Sequence, residues 1–375
     1  MTTTHQQWKN GKPGFSVATV LPRMGWNFLN HNLVRRFARP ILPRALCAFV
    51  TYRCNLRCRM CGIWKQDTGK EPELSLAEWD RVLSDPLFSR LEYININGGE
   101  PNLRDDLPAL AHLFTDKFPH LRSLSLNSNG IPAGKMIENA RTISGICREN
   151  GVRFSVSVSL HKIGPGYDEI SGVKDTFGRV RESLAALKAQ RDESGFYLGV
   201  NCVITGLNVP GFEEVKEWGE GEGIPVNFTL GEVRERFNNS GMRSKVELTE
   251  GQQAAVVDFF RGQSRNKSLF NHHALRYREL ADMLGRGAAR RLACHYAMGG
   301  VIVGWDGSLF YCKDSKSIGN CRDRSASSIY YDRANLDYRA EKLLGEKCRS
   351  CPPNTLNRIE LEKDIARYLW FLVKP

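Results

Sequence analysis

Thr51-Tyr52-Arg53-Cys54-Asn55-Leu56-Arg57-Cys58-Arg59-Met60-Cys61-Gly62-Ile63 decides how this chain is read, because it spaces three cysteines as C-x3-C-x2-C directly after an apolar, strand-like segment. Three thiolates can hold three corners of a cubane iron-sulfur cluster and leave the fourth iron without a protein ligand. A cluster closed by four cysteines stores or relays electrons, whereas an open iron can bind and reduce a small molecule. Two plainer readings compete. Zinc sites usually come as two paired C-x2-C arms, and buried thiols also group by chance.

Working outward, Tyr93-Ile94-Asn95-Ile96-Asn97 alternates apolar and polar residues as a half-buried strand does, and it runs into Gly98-Gly99-Glu100-Pro101. Two glycines let backbone approach a ligand closely, and proline stiffens the exit. Alone this would be an ordinary Gly-Pro turn. About forty residues after the cysteine triplet, it reads as the second half of one site.

The two motifs together resemble the signature of the radical S-adenosylmethionine (SAM) superfamily, as do Tyr52 two places before the first cysteine and the Cys61-Gly62 ending. The resemblance implies that the methionine part of SAM chelates the open iron. An electron from the cluster then releases a 5'-deoxyadenosyl radical, which takes a hydrogen atom from an unreactive C–H bond. It makes Cys54, Cys58 and Cys61 the catalytic cluster ligands. It also implies cofactor contacts at Tyr52 and at Gly98, Gly99, Glu100 and Pro101, the last group holding the SAM amino group through backbone carbonyls and the glutamate.

Strand patterns recur at Ala45–Tyr52, Leu91–Asn97, Leu121–Asn127, Arg153–Leu160, Phe196–Ile204 and Ile224–Leu230, with helical stretches between them. This βα alternation predicts an α/β fold with parallel strands. Six strands fit the partial (β/α)6 TIM-like barrel of the resembled family, whose site lies at the C-terminal strand ends. The cysteine loop and the GGEP turn would therefore meet at one mouth. Asn129, Ser157, Ser159, His161, Asn201 and Asn208 lie on or after later strands, and Asn129, Ser159 and Asn201 are the expected SAM contacts, Ser159 foremost. His161 stands where many family members carry aspartate. The alternative for each is a solvated turn residue.

The last third carries five more cysteines. From Cys294 the chain passes through Gly299-Gly300-Val301-Ile302-Val303-Gly304, turns at Asp306-Gly307 and returns through Leu309-Phe310-Tyr311 to Cys312, a hairpin signal. Cys348-Arg349-Ser350-Cys351 adds a C-x2-C pair before Pro352-Pro353. This segment resembles the SPASM and twitch domains of radical SAM enzymes, with Gly307 and Cys312 as the G-x4-C element. The resemblance implies a second, auxiliary 4Fe-4S cluster on Cys294, Cys312, Cys348 and Cys351. Zinc on the same four cysteines stays open. Cys321 is left over as a ligand, a hydrogen donor or an inert thiol. Cys47, Cys147 and Cys202 read as small apolar packing residues.

The 375 residues suffice for a barrel and a smaller C-terminal unit, each with its own core. The expected division is a basic extension (1–44), the barrel (45–235), a helical linker (236–290), the auxiliary domain (291–353) and an amphipathic C-terminal helix (354–375). No run approaches the roughly eighteen apolar residues of a membrane span. Clustered cysteines without a signal-peptide pattern point to the reducing cytoplasm. Eleven of the 53 lysines and arginines and none of the 41 acids fall in residues 1–66. Residues 26–39 set aromatics among arginines like a basic amphipathic helix, suited to peripheral membrane contact or simply to packing on the barrel. No nucleic-acid module is visible.

The expectation is a radical SAM enzyme, fed by flavodoxin or ferredoxin, that oxidises or epimerises a small or carbohydrate-like, lipid-linked or free substrate. The alternatives are a peptide-modifying maturase and a non-catalytic iron-sulfur or metal-binding protein.

Overall fold

The computed structural model describes residues 41–66, 72–268, 271–355 and 358–373. The basic extension and its amphipathic stretch at 26–39 lie outside the described residues. Six parallel strands form the expected partial TIM-like barrel: β1 (Ala45–Thr51), β2 (Tyr93–Gly98), β3 (Ser123–Ser128), β4 (Arg153–Ser159), β5 (Tyr197–Ile204) and β6 (Val226–Leu230). Between them run α1 (Leu76–Leu83), α2 (Leu107–Lys117), α3 (Ala133–Glu149), α4 (Pro165–Ser171), α5 (Thr176–Ser194) and α6 (Phe212–Glu222). The helical linker supplies α7 (Glu250–Ser264) and α8 (His273–Arg286), and the chain closes with α9 (Arg358–Val373), kinked at Asp364.

Sequence alternation sorts the two faces of the sheet. Ile94, Ile96, Leu124, Leu126, Val156, Val158, Leu198 and Val200 are buried, at most 1% exposed, and belong to the main hydrophobic core. Each such side chain contributes about 1.5–3 kcal/mol on leaving water. Their neighbours Asn95, Asn97, Ser125, Asn127, Ser155, Ser157 and Asn201 point the other way and line a central cavity. Side chains alternate faces along a strand, so a polar-in, apolar-out barrel follows directly from a period of two.

A six-stranded barrel leaves edges, whose unpaired backbone groups need partners. On β6, Phe228 N–H donates to Tyr277 Oη at 3.1 Å and Phe228 C=O accepts from Arg276 Nη1 at 2.9 Å. Asn354 does both jobs at Leu230, accepting from its N–H and donating to its C=O, each at 2.8 Å.

The other edge is not an edge. The hairpin read from the sequence is β7 (Gly300–Val303) and β8 (Ser308–Phe310), followed by the two-residue β9 (Gly319–Asn320). β7 lies parallel to β1, with Ala45 opposite Gly300 and Ala48 opposite Val303, so one nine-stranded sheet runs β6-β5-β4-β3-β2-β1-β7-β8-β9. Leu309, Tyr311, Ile318 and Ile329 join the same core as the barrel helices. The expectation of a separate core for the C-terminal unit is therefore corrected: β7 completes the barrel sheet instead of founding another. Arg322 Nε also binds Glu78 on α1 at 2.9 Å, tying the two parts together. No described helix is long and apolar enough to cross a membrane.

Candidate active site

The cysteine loop leaves the end of β1 and is fastened from four directions. Arg57 N–H and Arg59 N–H each donate at 2.8 Å to Ser171 and Ile170 carbonyls, which the C-terminal end of α4 would otherwise leave unpaired. Gly172, at φ +68°, turns the chain away there, and a Cβ on it would lie 2.7 Å from the Arg57 oxygen. Asn55 Nδ2 donates to Ile131 O at 2.8 Å, Gly62 N–H to Phe237 O at 2.8 Å, and Asn239 Nδ2 to Met60 O at 3.0 Å. Held this way, Cys54, Cys58 and Cys61 all line the central cavity, of about 740 Å³. Burial pushes all three thiols up, Cys61 to about 11, and neighbouring thiolates add to it at Cys58 and Cys61.

The glycines of the GGEP turn serve a close approach of a different kind from the one expected. A Cβ at Gly98 would sit 2.3 Å from Thr51 O, and one at Gly99 2.3 Å from Arg53 O. They let the end of β2 meet the end of β1, and Gly99 N–H donates to Thr51 O at 2.8 Å. Both glycines line the cavity, whereas Glu100 and Pro101 do not. Glu100 is fully buried. Its carboxylate accepts from Asn102 N–H and Nδ2 (3.1 and 2.7 Å), Ser128 Oγ (2.8 Å) and Asn129 N–H (2.6 Å). The expected direct contact of this glutamate with the cofactor is not what the geometry shows: its carboxylate already accepts two bonds from Asn102 in the same turn and two from the end of β3.

Asn129 is where that effort arrives. It lines the cavity, its Nδ2 donates to Asn55 Oδ1 at 2.7 Å and lies 3.9 Å from Cys54 Sγ. Ser157, Ser159, His161 and Asn201 also line the cavity. His161 is buried and accepts from Val203 N–H through Nδ1 at 3.2 Å, and burial lowers it to about 4. Tyr52 is a correction: it is absent from the cavity lining, its ring lying against Phe49 and Trp305 at 5.9 and 5.8 Å. Asn208 is likewise structural, donating to His161 O and Val203 O at 2.8 and 2.9 Å.

Sequence reasoning missed how far the polar wall extends. Asn127 Nδ2 donates to Asn95 Oδ1 and Asn97 Oδ1 (3.2 and 2.7 Å), Asn95 Nδ2 to Ser125 Oγ (2.5 Å), and Asn97 Nδ2 to Cys47 Sγ (3.2 Å). Cys47 packs with Phe49, Ile302 and Trp305 as expected, and it also reaches the cavity beside these amides. Cys147, Cys202 and Cys321 do sit in the main core. On the β4–β6 side, the hydroxyls of Ser155, Ser157 and Ser159 bond to no described residue. The signal was present in the polar half of each strand's alternation.

The second cysteine group gathers from three pieces of chain. Cys294 caps the short helix His295–Gly299, Cys312 follows β8, and Cys348 and Cys351 end the helical run from Arg339. All four line one small cavity, and Cys294, Arg290, Tyr296 and Lys313 also line the large one. Burial raises Cys312 and Cys348 to about 11 and Cys351 to about 12.

A metal or cluster binds the thiolate form, so its binding would displace the protons of these thiols. A single tetrahedral zinc ion, with bonds of about 2.3 Å, would draw its sulfurs to about 3.8 Å of one another. Among the described residues, no three of these seven cysteines have sulfurs all within 4.8 Å of each other. A cluster presents a separate iron to each thiolate and does not require its sulfurs to come that close. Glu232, Asp314 and Cys351 do approach that closely, but Lys313 and Arg234 already occupy the two carboxylates.

Residues 49–218 match the family model described as the radical SAM superfamily. Over 333 residues the chain is 25% identical to the PqqA peptide cyclase of Xanthomonas campestris pv. campestris, covering 84% of this chain and 81% of that protein. Streptococcus suis SuiB, solved with its precursor peptide SuiA, superposes with a TM-score of 0.55 at 14% identity, over 88% of this chain and 73% of that one. The structure of anSMEcpe with AdoMet and the Kp18Cys peptide gives 0.53 at 18% identity, over 87% and 98%.

Proposed function

From the match of residues 49–218 to the radical SAM superfamily model, we propose that this chain is a radical SAM enzyme that abstracts hydrogen from a substrate held between its two cysteine sites and oxidises it. The observation that carries this reading is the single cavity of about 740 Å³ that both Cys54-Cys58-Cys61 and Cys294 line. A 4Fe-4S cluster on the triplet, with SAM, supplies the radical that takes the hydrogen atom. The protein's own residues do the rest. Cys54, Cys58 and Cys61 present three thiolates and leave the cavity side open. Gly98 and Gly99 offer backbone carbonyls beside the triplet, and Asn129, Ser159 and Asn201 offer neutral donors and acceptors for ribose and carboxylate. Cys294, Cys312, Cys348 and Cys351 hold the auxiliary cluster, and flavodoxin or ferredoxin delivers the first electron.

The substrate's reacting part must share the cavity with the cofactor, and the strand amides and hydroxyls offer it hydrogen bonds while Arg290, Lys313 and Glu232 bring charge to the side of the second cysteine group. A peptide side chain is the first reading, supported by the peptide named for the PqqA cyclase relative. A small carbohydrate-like substrate is the second, favoured by the Ser155, Ser157 and Ser159 hydroxyls left open to hydrogen-bond a polyol.

Anaerobic reconstitution should give about eight irons per chain, the sum of two 4Fe-4S clusters, and 5'-deoxyadenosine on reduction with SAM. Changing Cys54, Cys58 and Cys61 to Ala should abolish the nucleoside, while Cys348→Ala with Cys351→Ala should alter product more than SAM cleavage. A loaded, reduced protein that leaves SAM intact with its substrate present would point to a passive metalloprotein. Turnover in deuterium oxide separates epimerisation, which takes up solvent hydrogen, from oxidation.

A further inference from the structure

The two cysteine sites differ in the charge placed against them. Among the described residues, the side chain that hydrogen-bonds a triplet sulfur is the neutral Asn129 amide, 3.9 Å from Cys54 Sγ. Arg57 spends its guanidinium on the Cys54 and Leu56 carbonyls, at 2.8 and 3.0 Å, and acts on the Cys54 thiol through space without a bond to sulfur. At the second group a guanidinium faces the Cys351 sulfur, which also donates to Asp314 Oδ2 at 3.4 Å, a carboxylate that Arg234 already pairs. Arg290 Nη1 lies 3.9 Å from Cys351 Sγ, its side chain is 7% exposed, and it lines both the small cavity of the four cysteines and the large one.

Arg290 is also fixed in place. Its Nε donates to Leu292 O at 2.8 Å and its Nη2 to Ala293 O at 2.6 Å, just ahead of Cys294. Its backbone N–H donates to Arg349 O at 2.7 Å, inside the Cys348–Cys351 pair. The other charges nearby offset one another in part. Glu232 and Asp314 are matched by Arg234 and Lys313, Glu360 is 3.9 Å from Arg290 Nη2, and Arg339 donates to Ala297 O at 2.7 Å.

We propose that Arg290 is a positioning residue that holds the reduction potential of the auxiliary cluster above that of the SAM site, making it the electron acceptor for the substrate radical. This rests on the auxiliary-cluster reading above. Reduction adds one negative charge to a cluster of thiolates and sulfides. A buried cation beside it stabilises that added charge, since interactions are strong where water is excluded, and hydrogen bonds to sulfur act in the same sense. The electrons balance: the substrate radical loses one electron, the cluster gains it, and the proton that leaves with it passes to solvent.

The test uses the full chain with Cys54, Cys58 and Cys61 all changed to Ala, reconstituted anaerobically so that the auxiliary cluster is read alone by redox titration with electron paramagnetic resonance. In that background Arg290→Gln keeps a donor for the carbonyls and removes the charge. It should raise the oxidised-to-reduced ratio at fixed potential at least tenfold, about 59 mV downward for a one-electron couple. An unchanged midpoint overturns the proposal. Should R290Q not retain its cluster, Arg290→Lys decides: a midpoint like that of the parent supports the charge, whereas a lowered midpoint or a second loss of cluster makes Arg290 merely structural. Zinc in place of iron in the parent itself would sink the auxiliary redox reading and this inference with it, a result distinct from an unmoved midpoint.

Discussion

At His161, one buried ring turns local packing into a pH dependence. Its Nδ1 accepts from Val203 N–H, and burial lowers it to about 4 from 6.5. The folded state therefore binds the proton more weakly than the unfolded chain. The contribution is fully present above pH 6.5 and is lost as pH falls from 6.5 towards 4, by up to about 3 kcal/mol. His161→Asn keeps an acceptor for Val203 and does not titrate, so its Tm should fall less steeply than the parent's between pH 6.5 and 4. Equal slopes would mean that the ring is not desolvated. Glu100→Ala strands buried donors on Asn102, Ser128 and Asn129. A loss of about 2 kcal/mol or more is expected, read as a fall in Tm, together with weaker SAM binding by equilibrium dialysis because Asn129 loses its anchor.

Strand ends, as elements, are where chemistry and packing meet. The β1 and β2 ends come so close that a Cβ at Gly99 would overlap backbone oxygen at 2.3 Å, and backbone cannot swing aside as a side chain can. Gly99→Ala should displace the cysteine loop and lower iron retained per chain, most at the triplet. Iron and sulfide content equal to the parent's would show that the contact is soft. The six barrel strands were legible to within two residues at either end, β2 to β4 by their alternation and β1 by its apolar run, and the hairpin because Asp306-Gly307 supplies a turn with Gly307 at φ +90°. The partner of β7 was not legible. Gly300-Val301-Ile302-Val303 is buried throughout, and an unbroken apolar run states that both faces are covered without stating by what.

For the whole molecule, the consequence is that the cysteine-rich third is part of the barrel's stability. β7 pairs with β1, Arg322 binds Glu78, and Asp85 accepts from Ser327 N–H at 3.1 Å. A chain cut after Arg290 would expose the β1 edge, a template for aggregation. Such a chain is expected to be insoluble or to unfold without cooperativity, judged by size-exclusion chromatography and thermal melting. A monodisperse, cooperatively melting fragment would instead mark an independent barrel.

The cysteine spacing, the GGEP turn and the strand patterns determined the resemblance to radical SAM proteins, the barrel and the cavity residues Asn129, Ser159 and Asn201, because each is a local pattern written in consecutive residues. Only the tertiary structure decided that Glu100 ties its own turn to the end of β3, that Tyr52 packs on Trp305, that Cys47 reaches the cavity and that Arg290 lies against Cys351. These outcomes depend on which distant side chains arrive at one point, and a buried polar group takes its role from the partners that satisfy it there.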